Sequence, residues 1–191
     1  MSRVILHFAV SLDGYAAGPD ISAAEPLGVG GERLHDWLFA GERGEADMQV
    51  EKEIRAAAQA VVLGRRTFDL GLEHWNDTPF PAPSFVLTHR PHAPLAQKSG
   101  TFTFVGEGIA DAIERGKSAA QGGGVVVMGV DTARQALRAG LVDEINLQLV
   151  PIMLGGGERL FEGLDPESEG YRLERVLPSP NAVHLRYLAK P

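Results

Sequence analysis

The segment Val61-Val62-Leu63-Gly64-Arg65-Arg66-Thr67-Phe68 constrains this chain more than any other. An apolar run stops at a glycine, and two arginines and a threonine follow where a helix should begin. The segment predicts a strand, a turn and a helix in immediate succession. A helix N-terminus carries partial positive charge, so arginines in its first turn are locally unfavourable. They make sense where an anion sits among the free backbone N–H groups of that turn. The unit therefore points to a phosphate-bearing ligand.

The same alternation runs through most of the chain. Residues 4–10, 60–63, 84–88, 101–105 and 125–128 are short apolar runs that predict strands. Helical spacing of apolar residues predicts a short helix from near Glu32, a helix over 46–59, one from Ile109 to about Ala120, and one over 132–139 closed by Gly140. Residues 11–31 read as one long loop, and Pro79, Pro81 and Pro83 punctuate another. After residue 140 the period changes to two: Ile145, Leu147 and Leu149 alternate with Glu144, Asn146 and Gln148, and residues 171–173 and 183–187 alternate likewise. Strands separated by helices, then strands without them, predict an α/β fold. A mostly parallel sheet is flanked by helices, with antiparallel strands at the C-terminal end. Gly122-Gly123-Gly124 is too short to separate domains, so residues 1–191 are expected to form a single domain.

Composition narrows the function. The formal net charge of −7 argues against a surface devoted to nucleic acid. No apolar run approaches the roughly 18 residues a membrane helix needs, and the opening residues read as a buried strand rather than a signal peptide. With no cysteine, disulfides, thiolate zinc sites and cysteine nucleophiles are excluded, and no metal site is expected. A cysteine-free chain is compatible with the cytoplasm. The expected partner is a small molecule.

Three junctions have anion-friendly chemistry: Gly64-Arg65-Arg66-Thr67, Thr88-His89-Arg90, and Gly129-Val130-Asp131-Thr132. In a parallel sheet all three fall at the carboxyl ends of strands, on one rim, where ligands bind. Singly each has a plainer reading: solvated arginines, a threonine bonded to nearby backbone, and an N-cap at Asp131 or Thr132. Neither the G-x-G-x-x-G fingerprint nor the P-loop pattern occurs, so a bound dinucleotide would use another scaffold. Asp13 is either a turn-forming Asp-Gly residue or an acid pointing into a cleft. Trp37, Trp75, Phe80 and Phe161 either wall a planar ring or belong to the core. Gly155-Gly156-Gly157 permits close backbone approach to a ligand, or is a plain turn.

Four segments carry a resemblance. They are residues 11–20 (SLDGYAAGPD), 62–68 (VLGRRTF), 125–131 (VVVMGVD), and 139–144 (AGLVDE) running on through 151–157 (PIMLGGG) to Leu160-Phe161. In this order the chain resembles the dihydrofolate reductase-like superfamily. The likeness is closer to the reductase domain of the bifunctional riboflavin-biosynthesis deaminase/reductase and to stand-alone proteins of that type. The resemblance implies a three-layer fold with an eight-stranded central sheet, NADPH as cofactor, and a homodimer. It implies that Gly64, Arg65, Arg66 and Thr67 face the cofactor's phosphates, that Thr88 and Arg90 hold the 2′-phosphate, and that Gly129 and the following helix (Val130, Asp131, Thr132) meet the pyrophosphate. It places Ala9 and Val10 near the nicotinamide. Arginine suits a 2′-phosphate because its guanidinium offers a fork of donors. Members usually have a second glycine where Val130 stands, so a Cβ there is expected to restrict the backbone and crowd a ligand. Hydride would pass to a C=N or C=O carbon of a ribosylamino-pyrimidine phosphate or a dihydropterin, with Asp13 or Asp36 as candidate proton donors. Asp36 falls roughly where folate reductases place a carboxylate, though a solvated helix residue is the simpler reading. Asp143 and Glu144 read as structural. Two rivals stand: a reductase of an unrelated small carbonyl or imine, and a nucleotide-binding protein without turnover, which Val130 favours. The zinc chemistry of the fused deaminase is absent with the cysteines.

Overall fold

The computed structural model describes residues 2–39, 41–90, 92–164 and 170–190. Strand β1 (Arg3–Ser11) leads into a short strand β2 (Tyr15–Ala17), a 3-10 turn (Gly31–His35) and helices α1 (Asp36–Phe39) and α2 (Glu45–Ala57). Strand–helix units follow: β3 (Ala58–Gly64) with α3 (Arg65–Trp75), β4 (Ser84–Leu87), β5 (Leu95–Ala96), β6 (Thr101–Val105) with α4 (Ile109–Ala120), and β7 (Gly124–Met128) with α5 (Val130–Arg138). The chain ends in β8 (Glu144–Val150), β9 (Glu158–Arg159), β10 (Tyr171–Pro178) and β11 (Val183–Ala189).

The main sheet runs β10-β11-β8-β1-β7-β3-β4-β6-β5. From β8 to β6 neighbouring strands are parallel, and β11 and β10 are antiparallel additions at one edge. The eight strands expected from sequence are all present, and the two-residue β5 adds a ninth at the far edge. The expected loop over 11–31 is shorter than predicted. Ser11 completes β1, and Tyr15–Ala17 pairs with β9 in a separate two-stranded sheet. Gly157 explains that pairing, because its φ is +124° and a Cβ there would lie 2.0 Å from the carbonyl oxygen of Ala17. Close approach at this glycine serves the chain's own backbone.

Strand alternation divides the core between the two faces of the sheet. Val4, Leu6, Val62, Val125 and Val127 face α4 and α5, packing with Ala112, Ile113, Ala133 and Ala136. The opposite face is split in two. Ala9 and Val150 pack with Leu34, Trp37 and Val50 under α1 and α2, whereas Val61, Leu63 and Val86 pack with Phe68 and Phe102 under α3. Between these clusters the sheet floor is open, and that gap is the cleft.

A buried hydrogen bond ties α2 to β11 beside the gap. Asp47, fully buried on α2, sits 2.7 Å from His184 Nε2 on β11 and accepts from the Gly44 N–H (3.0 Å) and from Asn181 Nδ2 (3.2 Å). Burial pushes the Asp47 carboxyl up, but the Ser179 hydroxyl, His184, the Gly44 N–H and Asn181 together outweigh it and hold it below its ordinary value. Trp37 packs edge-on to His184, with centroids 5.1 Å apart. Among the described residues no helix is long and apolar enough to cross a membrane.

Candidate active site

The cleft encloses about 950 Å³ on the split face of the sheet. Its floor is His7 and Ala9 of β1, Val126 and Met128 of β7, and Gln148 of β8. One wall carries Trp37, Leu38 and Ile54, and the other carries Thr67, Leu70, Trp75 and Phe80. This size and lining, apolar walls with a few polar groups, suit a small planar ligand. Trp37, Trp75 and Phe80 do wall the cleft, whereas Phe161 lies outside it with about half its surface exposed.

The rim is built by two helix starts. Strands β7, β3 and β4 are adjacent and parallel, so Gly129, Gly64 and Thr88 emerge side by side from their carboxyl ends. Gly64 begins α3 and Gly129 begins α5, and neither helix has a side-chain cap. The two starts interlock: a Cβ on Gly129 would lie 2.4 Å from Thr67 Oγ1, and one on Gly64 would lie 2.6 Å from Thr132 Oγ1. Only glycines allow this approach. The uncapped first turns of two helices thus lie against each other, and free first-turn N–H groups favour an anion. No acidic residue occupies the first turn of α3. In α5 Asp131 is exposed and accepts from Gln135 at 2.8 Å.

The RibD C-terminal domain profile matches residues 2–185. The chain belongs to the RibD C-terminal domain family. The uncharacterized protein YwjB of Bacillus subtilis is 28% identical over 188 residues, 97% of each chain. Among solved structures, a Shewanella protein ascribed to riboflavin biosynthesis superposes with a TM-score of 0.74 at 24% identity, covering all of both chains. Enterococcus faecalis dihydrofolate reductase, solved with NADP(H), superposes with a TM-score of 0.64 at 14% identity, covering 99% of this chain and 97% of that one. Both likenesses confirm the fold expected from the four sequence segments.

Within this RibD C-terminal domain the predicted residues separate. Ala9, Arg66, Thr67, Gly129 and Val130 line the cleft. Val10 does not, since the next residue along a strand faces the other side. Arg66 is paired with Glu158 across the rim. Arg65 turns away from the cleft, pairing with Asp69 at 2.7 Å and lying over the Phe68 and Phe104 rings at 5.6 and 5.8 Å. Thr88 is buried and its Oγ1 accepts from the Arg90 N–H at 3.1 Å. The Arg90 side chain is exposed on the same rim, without an ion pair among the described residues. Thr132 is buried against Gly64. The constraint expected at Val130 does not materialise in the backbone. The positive φ at this junction, 89°, falls on Gly129, and Val130 begins α5 with an ordinary φ.

Neither proposed acid reaches the cleft. Asp13 is engaged elsewhere: it accepts from Ser11 Oγ (2.5 Å) and from the N–H groups of Gly155 (2.7 Å) and Leu154 (3.2 Å). Those bonds, Ser11's first, hold its carboxyl down to about 2, so it carries no proton to give near neutrality. Asp36 is exposed at the start of α1 and lies off the cleft lining. Asp143 accepts from the Val4 N–H at 2.7 Å, and Glu144 takes Arg3 (3.2 Å) and Arg186 (2.8 Å), both structural contacts.

Sequence reasoning missed His7, His35 and Gln148. The signal was present: His7 interrupts an apolar strand, and Gln148 belongs to the polar face of β8. That face is buried rather than solvated, with Gln148 only 1% exposed. Both ring nitrogens of His7, Nδ1 of His35, Nε1 of Trp37 and Oε1 of Gln148 are buried without a partner among the described residues. Burial, with His184 and His35 nearby, pushes the His7 imidazole down to about 3, and burial likewise lowers His35.

Proposed function

We propose that this RibD C-terminal domain is an NADPH-dependent reductase, passing hydride to a C=N or C=O carbon of a pyrimidine- or pterin-like compound. The pair of interlocked, uncapped helix starts at Gly64 and Gly129, opening onto a cleft floored by Ala9, carries this reading. The first-turn N–H groups of α3 and α5 would hold the pyrophosphate, with Arg66 beside them. Thr88 and Arg90, on the next strand end, would hold the 2′-phosphate, which suits a guanidinium. The bound nucleotide supplies the hydride. Ala9 leaves room over β1 for a flat ring, and Trp37, Trp75 and Phe80 hold the acceptor against it and exclude water. One proton balances the transfer. In this reading water at the cleft mouth delivers it, because Asp13 and Asp36 lie outside.

The test is a screen of NADPH oxidation, followed by loss of nicotinamide absorbance, with pyrimidine, dihydropterin and simple carbonyl acceptors. Turnover of a pyrimidine or pterin is the expected result. Turnover of simple carbonyls alone would move the assignment to the rival reductase, and nucleotide binding without turnover of any acceptor would make the protein a binder. The same proposal includes a homodimer. Edge strand β10 leaves Leu173 and Val176 54% and 47% exposed, a surface a second copy would cover. Light scattering on wild type and Leu173→Lys checks it, with a dimer expected only for wild type.

A further inference from the structure

We infer that the acceptor this cleft takes is an uncharged heterocycle without a phosphate group, held through an amide-type edge by Gln148, Trp37 and His7. The inference rests on the reductase reading and goes further by naming the acceptor's charge. Its first support is the ionic lining. Two guanidiniums, Arg55 and Arg66, border the cleft against four carboxylates: Glu25, Glu32, Glu51 and Glu158. Both arginines are already paired with two of those carboxylates, Arg55 with Glu51 at 2.8 Å and Arg66 with Glu158. Arg66 also stands at the helix starts, where the nucleotide's own phosphates would engage it. A phosphate dianion on the acceptor would enter a space where acids outnumber bases and no guanidinium is free, which like charges disfavour. The residues outside the described segments are Met1, Ala40, Pro91, 165–169 (DPESE) and Pro191, none of which has a basic side chain.

The second support is the inner end of the cleft. Trp37 is 2% exposed and Gln148 1% exposed, both line the cleft, and each holds a polar atom without a partner. His7 lines the same cleft, its ring 6.2 Å from the Trp37 ring. With its pKa pushed down, His7 is neutral and offers one donor and one acceptor. Trp37 offers a donor only, and Gln148 Oε1 an acceptor only. Such a mixed, neutral set matches a ring edge bearing adjacent N–H and C=O groups, and it offers an anion donors but no positive charge to balance it. Buried polar groups left unpaired also discriminate strongly against ligands that cannot pair them.

The test uses the full chain saturated with NADPH. Calorimetric titration compares uracil, uridine, pterin and uridine 5′-monophosphate as probes. At least one uncharged probe is expected to bind about tenfold or more tightly than the monophosphate. Glu51→Gln, which releases Arg55, is expected to narrow that gap. Equal or tighter binding of the monophosphate overturns the inference, as does binding of none of the probes to a protein that does hold NADPH. A prior titration in which NADPH fails to bind overturns the reductase reading itself, and this inference with it. The two failures are therefore told apart by the first titration.

Discussion

Mild acid should weaken this fold through His7, and the size of the effect follows from burial. Unfolded, the imidazole takes up a proton below its ordinary value of 6.5; folded, it stays neutral to about 3. Between those values the unfolded chain binds more protons, so unfolding becomes easier as pH falls and stability is regained as pH rises. Each pH unit inside the window is worth up to about 1.4 kcal/mol, so acidification from about pH 6.5 to about pH 5 should remove roughly 2 kcal/mol through His7 alone. His35, also lowered by burial, adds in the same direction. The carboxylates of Asp13 and Asp47 are held below their ordinary value of 3.8, so their contribution is lost only as pH falls toward that value, beneath the interval from about pH 6.5 to about pH 5. Urea unfolding of wild type and His7→Gln at the two pH values measures the difference. The variant should lose about 2 kcal/mol less than wild type over the interval. Parallel pH profiles would show that His7 is not buried in its neutral form and would refute the reasoning.

Other substitutions probe the remaining elements. Gly129→Ala puts a Cβ at positive φ and 2.4 Å from Thr67 Oγ1; it should cost about 2 kcal/mol, lower Tm by roughly 4–8 °C, and weaken NADPH binding in a fluorescence titration. Val130→Gly should instead cost about 2 kcal/mol by thermal unfolding without weakening NADPH, because Val130 is buried with an ordinary backbone. Asp13→Ala should destabilise the turn at Leu154–Gly155 while leaving turnover per folded molecule unchanged; loss of turnover in a fully folded variant would restore Asp13 as an acid. Phe102→Ala, a fully buried ring edge-on to Phe68, should cost about 3–5 kcal/mol in urea.

The fold was legible because its signals are local. Runs such as 60–63 and 125–128 are strands on their own composition, and glycines 64 and 129 mark where those strands hand over to helices. The rim followed from one rule of parallel sheets. What stayed hidden depends on distant pairing. Asp13 finds its partners in Leu154 and Gly155, 141 and 142 residues away, so its local Asp-Gly turn could not show that its carboxylate was engaged. Strands β2 and β9 are too short to stand alone and exist only against each other. The alternation in β8 did not show that Glu144 and Gln148 of its polar face would be buried in the assembled sheet between β1 and β11. His7 was visible as a break in an apolar strand, but its meaning required knowing that Gln148 and Trp37 share its cleft.

The central claim is that the joined rim of β7, β3 and β4 grips a phosphorylated dinucleotide and that Arg90 reads its 2′-phosphate. Titration of wild type and Arg90→Ala with NADPH and NADH, followed by nicotinamide fluorescence, tests it directly. Wild type should bind NADPH about tenfold or more tightly than NADH, and Arg90→Ala should erase most of that preference. Failure of wild type to bind either nucleotide at millimolar concentration, or an NADPH preference unchanged in Arg90→Ala, would contradict it.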